Sequence, residues 1–535
     1  MPDLNDPTPA WWRHAVVYQI YIRSFADSDG DGIGDLPGIT ARLPHVASLG
    51  ADAVWLTPFY TSPQLDHGYD VADYRDVEPL FGTLEDADRL IARAHELGLK
   101  VVVDLVPNHT SWEHAWFRAA LAAEPGSPER ERYLFRTGRG PAGEEPPNNW
   151  GSVFGGAAWT RVGETDQWYL HLFDTSQPDL NWRNPEVPAM FEEVLRFWLD
   201  RGVDGFRIDV AHGLLKEESL RDQVHVDPEA LAIAEDHERI PMGFHETDEP
   251  MWDQPEVHDV YRSWHRLLSE RGSMAVAEAW CRSPEATARY VRPDELHQTF
   301  NFDWMMAPWD APRLRKVITS TLESMRAVDA WPTWVLNNHD YPRSATRYGG
   351  GDVGLARSRA ATLATLALPG AAYLYQGEEL GLNEVDVAPE HRQDPAWFRT
   401  GNPGRDGCRV PLPWGGAVPP YDFGPGSDQP WIPQPDDWAA LTVERQDADP
   451  DSTLAFYRRA LEVRRGFAHT AGRDVELMDL GDDVVAFRRG PIASVTNCGA
   501  SPVPLPGGEV LLASGPLPAG LLPVDTTVWL TGQDG

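Results

Sequence analysis

Apolar, β-rich runs alternate along most of the chain with segments whose apolar residues recur every three or four positions, the pattern of repeated strand–helix units around a parallel sheet. Eight such runs occupy residues 16–21, 53–56, 100–105, 204–208, 274–277, 298–302, 333–336 and 371–375. The segment ahead of the third run reads as an amphipathic helix, with Leu84, Ala87, Leu90, Ile91, Ala94 and Leu97 on one face and Gly98 as its stop. Another carries Val194, Leu195, Trp198 and Leu199 and stops at Gly202. Eight strands with intervening helices predict an α/β fold of the closed (β/α)8 TIM-barrel kind rather than an open, doubly wound sheet.

Between the third and fourth runs lie about 75 residues rich in Pro, Gly, Asn and Trp, far longer than an ordinary strand-to-helix connection. They leave at Pro107 and return near Asp179, on the face where barrel enzymes keep their sites. Beyond a helical stretch at 453–465, short apolar segments such as 484–487 and 528–530, broken by Gly and Pro, predict a C-terminal β-sandwich. The expected organisation is a catalytic barrel over 12–106 and 179–470, an inserted subdomain over 107–178 and a sandwich over 471–535.

Composition narrows the partners. With 46 Lys and Arg against 82 Asp and Glu, the net charge of −36 repels phosphate backbones and anionic lipid surfaces, so neither nucleic acid nor a membrane is an expected partner. Cys281, Cys408 and Cys498 are far apart and odd in number, which argues against a disulfide framework. The N-terminus has no basic or apolar leader, and no run is long enough to span a bilayer; the expected location is cytoplasmic. The 22 Trp and 15 Tyr favour a sugar ligand, because flat aromatic faces stack on sugar rings.

The chemistry is positional. Polar and ionisable residues follow directly on the apolar part of several strands: Asp104 to His109, Arg207 to Asp209, Glu278 to Trp280, and Asn337 to Asp340. In a barrel these ends converge at one mouth. Opening a glycosidic bond through an oxocarbenium-like transition state needs one carboxylate at the anomeric carbon and one acid at the leaving oxygen, roles that Asp209 and Glu278 can fill. Arg207 lies two residues before Asp209, on the same side of one strand, where its charge is expected to keep the nucleophile ionised. Separately, residues 27–35 place Asp27, Asp29, Asp31 and Asp35 at alternate positions among glycines, a hard-cation loop for which Ca²⁺ is the expected ion and Mg²⁺ the alternative. Gly38 stands where an EF-hand has its bidentate Glu, so the loop is not an EF-hand.

These motifs, with Gln177-Pro178-Asp179-Leu180-Asn181, make the chain resemble the α-amylase-type glycoside hydrolases, in particular their α-glucosidase and oligo-1,6-glucosidase branch, over nearly its whole length. The resemblance implies a retaining enzyme acting on small oligosaccharides, with Asp209 as nucleophile, Glu278 as general acid/base and Asp340 gripping ring hydroxyls. It implies hydroxyl ligands in His109 and His339, a stacking platform in Tyr69, a distal hydroxyl ligand in Asp66 with Arg409 as its charge partner, and a metal loop completed by the Ile33 carbonyl. A salt-bridged blind end would admit only a terminal glucose and make the enzyme exo-acting. Val210 and the Gln177–Asn181 motif lean towards α-1,6 bonds, whereas the continuation from Ala211 to Lys216 resembles maltose-cleaving α-glucosidases; α-1,4 action is the expectation. Recognition of the leaving sugar is expected from loops such as 220–251. The alternatives are an oligo-1,6-glucosidase, a glucosyltransferase or isomerase acting on sucrose or trehalose, and, remotely, a non-catalytic transporter partner. Oligomeric state is not legible.

Overall fold

The computed structural model describes residues 10–224, 249–426 and 429–532. All eight expected strands form, at Val16–Ile20, Ala53–Leu56, Lys100–Leu105, Gly205–Ile208, Met274–Ala277, Gln298–Thr299, Thr333–Val335 and Ala371–Tyr375. They form one parallel eight-stranded sheet in which the first strand pairs with both the second and the eighth. Every neighbouring pair is hydrogen-bonded except the sixth and seventh. There the sixth strand is only two residues long. Side chains span the interior instead: Tyr373 Oη donates to Gln298 Oε1 at 2.7 Å, and Phe300 meets Trp55 and Tyr373.

Strand alternation sends one set of residues into the barrel and the other onto the helices. Val17, Ala53, Trp55, Val102, Met274, Val276, Val335, Ala371 and Tyr373 share the interior cluster. Their neighbours, such as Tyr18, Val54, Val101, Val103, Phe206 and Ala275, belong to the cluster under the helices. The helix Leu84–Glu96 starts on a capping box in which Thr83 and Asp86 satisfy each other's backbone N–H groups, and it buries Ala87, Leu90, Ile91 and Ala94. The C-terminal half of the helix Gly351–Ala367, from Ala360 on, is buried all round, since the C-terminal unit covers its far side. There Trp529 donates to Leu363 O at 3.0 Å and Thr527 to Ala360 O at 2.8 Å.

That unit holds a five-stranded antiparallel sheet and a two-stranded ribbon. Val485 and Phe487 face the barrel side, while Val484 and Ala486 pack inward with Val495, Val528 and Leu530. The insertion carries its own three-stranded sheet, Phe135–Thr137, Trp159–Arg161 and Gln167–Leu170. It closes on itself where it leaves and returns, through a bridge between His109 and Asp179. Of the loop at 220–251 expected to read the leaving sugar, residues 225–248 lie outside the described residues.

One buried ion pair pins the insertion to the barrel. Asp179 accepts from Leu172 N at 2.8 Å and Asn108 Nδ2 at 3.1 Å, and meets Lys216 Nζ at 2.7 Å. Lys216 also donates to Asn108 Oδ1 and Gly213 O. Replacing one partner strands the other's charge in a dry interior, at a cost of about 3–5 kcal/mol. Lys216→Met is therefore expected to lower the thermal unfolding midpoint of the whole chain; a midpoint equal to wild type would refute this role for the pair.

Candidate active site

The inward positions of the strands change from apolar to ionised on the way up the barrel. Val102 is followed by Asp104, Gly205 by Arg207 and Asp209, and Met274 and Val276 by Glu278. Ladder register sets Arg207 level with Asp104 on one side and Val276 on the other. Hydrogen bonding continues just past the strands, with Asp209 N donating to Leu105 O and Glu278 N to Ile208 O, both at 2.9 Å. The site thus rests on rigid ladder rather than on free loop.

Arg207 is the centre. Its Nη1 meets Asp104 Oδ1 at 2.9 Å and Asp209 Oδ1, and its Nη2 meets Glu278 Oε2 at 2.7 Å. All four groups are buried. Burial pushes the Asp209 carboxyl well above the usual range; Arg207 pulls it back, while Glu278 and Asp104 add to the rise. Burial likewise takes Asp104 up to about 7 against the pull of Arg207. The expectation that Arg207 keeps the nucleophile ionised is thus only half the physics. Asp104 and Asp209, both raised and both on Arg207, titrate as an interacting pair.

Backbone geometry marks the same place. Val210, directly after Asp209, has φ +47°, a left-handed conformation that a β-branched residue adopts at a cost of about 1–3 kcal/mol. In that conformation its N–H donates to Glu278 Oε2 at 3.0 Å, and its side chain joins the insertion's core with Phe173 and Trp252.

The second half of the site follows the second and seventh strands. In the loop after the second strand, Gly68 has φ +103° and a Cβ there would meet Pro58 O at 2.7 Å, so this turn admits only glycine. Tyr69 lies flat on His339, ring centroids 5.4 Å apart, with its hydroxyl between Asp104 Oδ2 at 3.0 Å and His339 Nε2 at 2.7 Å. Gln19 holds the other His339 nitrogen at 2.7 Å. Burial keeps both His339 and His109 neutral, His109 with a pKa lowered to about 4. For Asp340, burial acts to raise the pKa, but His339, Arg405 and Arg409 pull it far below the usual range. With His339 itself neutral, the two fixed guanidinium charges dominate.

One expected pairing is corrected. Asp66 is held by Arg405, at 3.0 Å, and by Gln177 Nε2, also at 3.0 Å. Arg409, the expected partner, instead meets Asp340 at 2.8 Å and donates to His339 O at 2.8 Å. Arg405 also bridges to Asp340 at 3.0 Å and to the buried Asp394 at 2.6 Å, tying its loop to the loops after the second and seventh strands. Its position four residues before Arg409 was the one available signal.

The acidic loop lies apart from these residues. Carboxylate oxygens of Asp27, Asp29 and Asp35 come within 4.8 Å of one another, whereas Asp31 falls outside that set and accepts from Ile33 N at 2.8 Å. Asp27 and Asp35 are buried, Asp35 also capping the helix Leu36–Leu49. A Cβ on Gly424 would come within 2.4 Å of Asp27 Oδ2, so the chain is drawn tightly over this carboxylate. Converging carboxylates suit a hard divalent cation.

Comparison with known proteins agrees with this geometry. Residues 19–471 match the α-amylase catalytic domain. The chain belongs to the α-amylase family of glycoside hydrolases. It is 40% identical to a probable α-glucosidase of Rhizobium meliloti, over 91% of this chain and 88% of that protein. It is 37% identical to an oligo-1,6-glucosidase of Parageobacillus thermoglucosidasius, over 85% and 84% of the two chains. An α-glucosyl transfer enzyme of known structure superposes with a TM-score of 0.87 at 37% identity, covering 98% of this chain and 99% of that one.

Because the Asp104 charge helps to raise Asp209, removing it lowers the proton affinity of the Asp209 carboxyl. In this glycoside hydrolase, Asp104→Asn is expected to move the acid limb of the pH dependence of kcat/KM to lower pH. A limb that stays in place or moves up would contradict the shared titration.

Proposed function

We propose that this glycoside hydrolase is a retaining, exo-acting α-glucosidase that releases glucose from the non-reducing end of short α-glucosides, with α-1,4 (maltose-type) bonds favoured. The observation that carries the reading is the pairing of two carboxylates on one guanidinium beside a blind end. Asp209 and Glu278 share Arg207 and interact with one another, which favours a retaining enzyme, whose two carboxyls stand close together at roughly 5–5.5 Å. The Asp66–Arg405 and Asp340–Arg409 pairs supply oxygens and N–H groups for the hydroxyls of one sugar ring, and their charges leave little room for a second ring.

In this reading the anomeric carbon sits between Asp209 and Glu278. Asp209 attacks it while Glu278 gives a proton to the departing oxygen, and the leaving sugar departs as an alcohol. Water then yields a proton to Glu278 as its oxygen replaces Asp209 at carbon one. Asp340 and the neutral His109 and His339 hold the ring hydroxyls, and Tyr69 offers its face to the ring. The preference for α-1,4 bonds is supported by the resemblance of 211–216 to maltose-cleaving enzymes and by the relative named a probable α-glucosidase. Val210, the Gln177–Asn181 motif and the relative named an oligo-1,6-glucosidase support α-1,6 action as the second reading. The likeness to an α-glucosyl transfer enzyme makes a sugar acceptor the third. Cytoplasmic action fits three cysteines that form no disulfide, and among the described residues no helix is long and apolar enough to cross a membrane.

A time course on equal maltose, isomaltose, sucrose and trehalose separates these readings. The expected result is glucose appearing fastest from maltose, in the α configuration, with Asp209→Asn slower by about a thousandfold or more. Preference for isomaltose would select the second reading, and new disaccharides without net glucose the third. A mutant within tenfold of wild type would remove Asp209 from the mechanism.

The acidic loop is part of the same proposal: Asp27, Asp29 and Asp35, with Asp31 and the Ile33 carbonyl, hold a structural Ca²⁺ or Mg²⁺ remote from the chemistry. Chelation is expected to lower the thermal midpoint, and Ca²⁺ to restore it; a midpoint indifferent to both would remove the metal.

A further inference from the structure

Glu278 is held differently at its two oxygens. Oε2 meets Arg207 Nη2 at 2.7 Å and the Val210 backbone N–H at 3.0 Å, two donors that never lose their protons at working pH. An oxygen that lies against a fixed guanidinium charge and accepts from a backbone N–H is a poor site for a proton of its own. Oε1 accepts from the neutral Trp280 indole, Nε1 lying 3.3 Å away. Oε1 has no ion pair with Arg207, so the transferable proton belongs there.

The indole is itself fixed. Trp280 stands two residues after Glu278, buried, and stacks flat on Phe302 with ring centroids 3.8 Å apart and planes 7° from parallel. Phe302 opens a helix whose N-cap, Asn301, accepts from Trp304 N and donates to Thr321. Phe302 also packs against Phe300 of the barrel interior. This stack fixes the plane of the indole, and hence the line along which its N–H points.

We propose that Trp280 is a positioning residue for the general acid, its indole N–H fixing Glu278 Oε1 as the oxygen that delivers and later recovers the catalytic proton. The proposal rests on the reading of Glu278 as acid/base. In the first step the Oε1–H bond breaks as the glycosidic oxygen gains the proton; the bond from that oxygen to carbon one breaks with its electron pair, and the Asp209 carboxylate bonds to carbon one. In the second step water loses a proton to Oε1, its oxygen bonds to carbon one, and Asp209 leaves as carboxylate. Trp280 touches neither the sugar nor the proton in this scheme. It sets which oxygen faces the leaving group and stabilises the ionised form between the steps. The charged and titratable groups around Glu278 are Arg207, Asp209 and Asp104, with the His212 ring bonded to the Glu278 main chain.

The test is Trp280→Phe, which keeps an aromatic ring against Phe302 and removes only the donor; if that variant fails to fold, benzothienylalanine at the same position has the indole's shape without its N–H. The readout is kcat/KM for a series of aryl and alkyl α-glucosides across pH. Losing a donor to the ionised carboxylate raises its proton affinity, so the alkaline limb is expected to move up by about half to one pH unit. Loss of orientation is expected to cost about tenfold for alkyl glucosides, whose leaving oxygen needs the proton, and under about threefold for 4-nitrophenyl α-glucoside, whose leaving group departs with little help. An equal loss across the series with an unmoved limb would overturn the proposal and leave Trp280 a packing residue. Glu278→Gln, run in parallel, separates the two levels: if it retains the alkaline limb, the acid assignment itself fails, whereas if it loses the limb while Trp280→Phe matches wild type, only the positioning role fails.

Discussion

A single guanidinium organises the site. Arg207 is fully buried and touches Asp104, Asp209 and Glu278, so it lowers the cost of burying three carboxylates that would otherwise repel one another. The three carboxylates outnumber the one guanidinium, so burial and the neighbouring negative charges raise the Asp209 carboxyl against the pull of Arg207.

That constraint explains why the barrel is built as it is. Placing the guanidinium among three carboxylates to within hydrogen-bond precision calls for adjacent parallel strands in fixed register, and the third, fourth and fifth strands provide it through Asp104, Arg207 and the Val276–Glu278 end. Inward positions lower in the barrel are apolar, so the charged set rests on Val102, Met274 and Val276 rather than on water. The missing ladder between the sixth and seventh strands lies away from this set, where side chains can fill the interior without ladder bonds.

Much of this was legible in the sequence, because the period of two along a strand and the change from apolar to ionised at its end are local features. Asp209, Glu278 and Asp340 announce themselves by following apolar runs. What was not legible depends on residues far apart in the chain. Arg405 reaches Asp66 across a separation of 339 residues, and nothing in the loop around it says which of two arginines will arrive. The raised proton affinity of Asp209 was also hidden: one neighbouring Arg suggests an ionised carboxylate, and only the fold shows how deeply that carboxyl is buried, with Glu278 and Asp104 beside it. The Asp179–Lys216 pair was hidden for a similar reason, since a lysine following an apolar stretch looks solvated until the insertion folds over it.

Val210 joins these levels in one residue. Its strained backbone lets one N–H reach the Glu278 carboxylate, it follows Asp209 directly, and its side chain is part of the insertion's core. A change in the packing of the insertion is therefore felt at Glu278 through a single peptide unit, without any contact to substrate. The strain is tolerable because three anchors share it: the hydrogen bond to Glu278, the packing against Phe173 and Trp252, and the Ala211 N–H donated to Glu278 O at 2.9 Å. The peptide unit that reaches the Glu278 carboxylate is thus the one whose side chain the insertion's core holds.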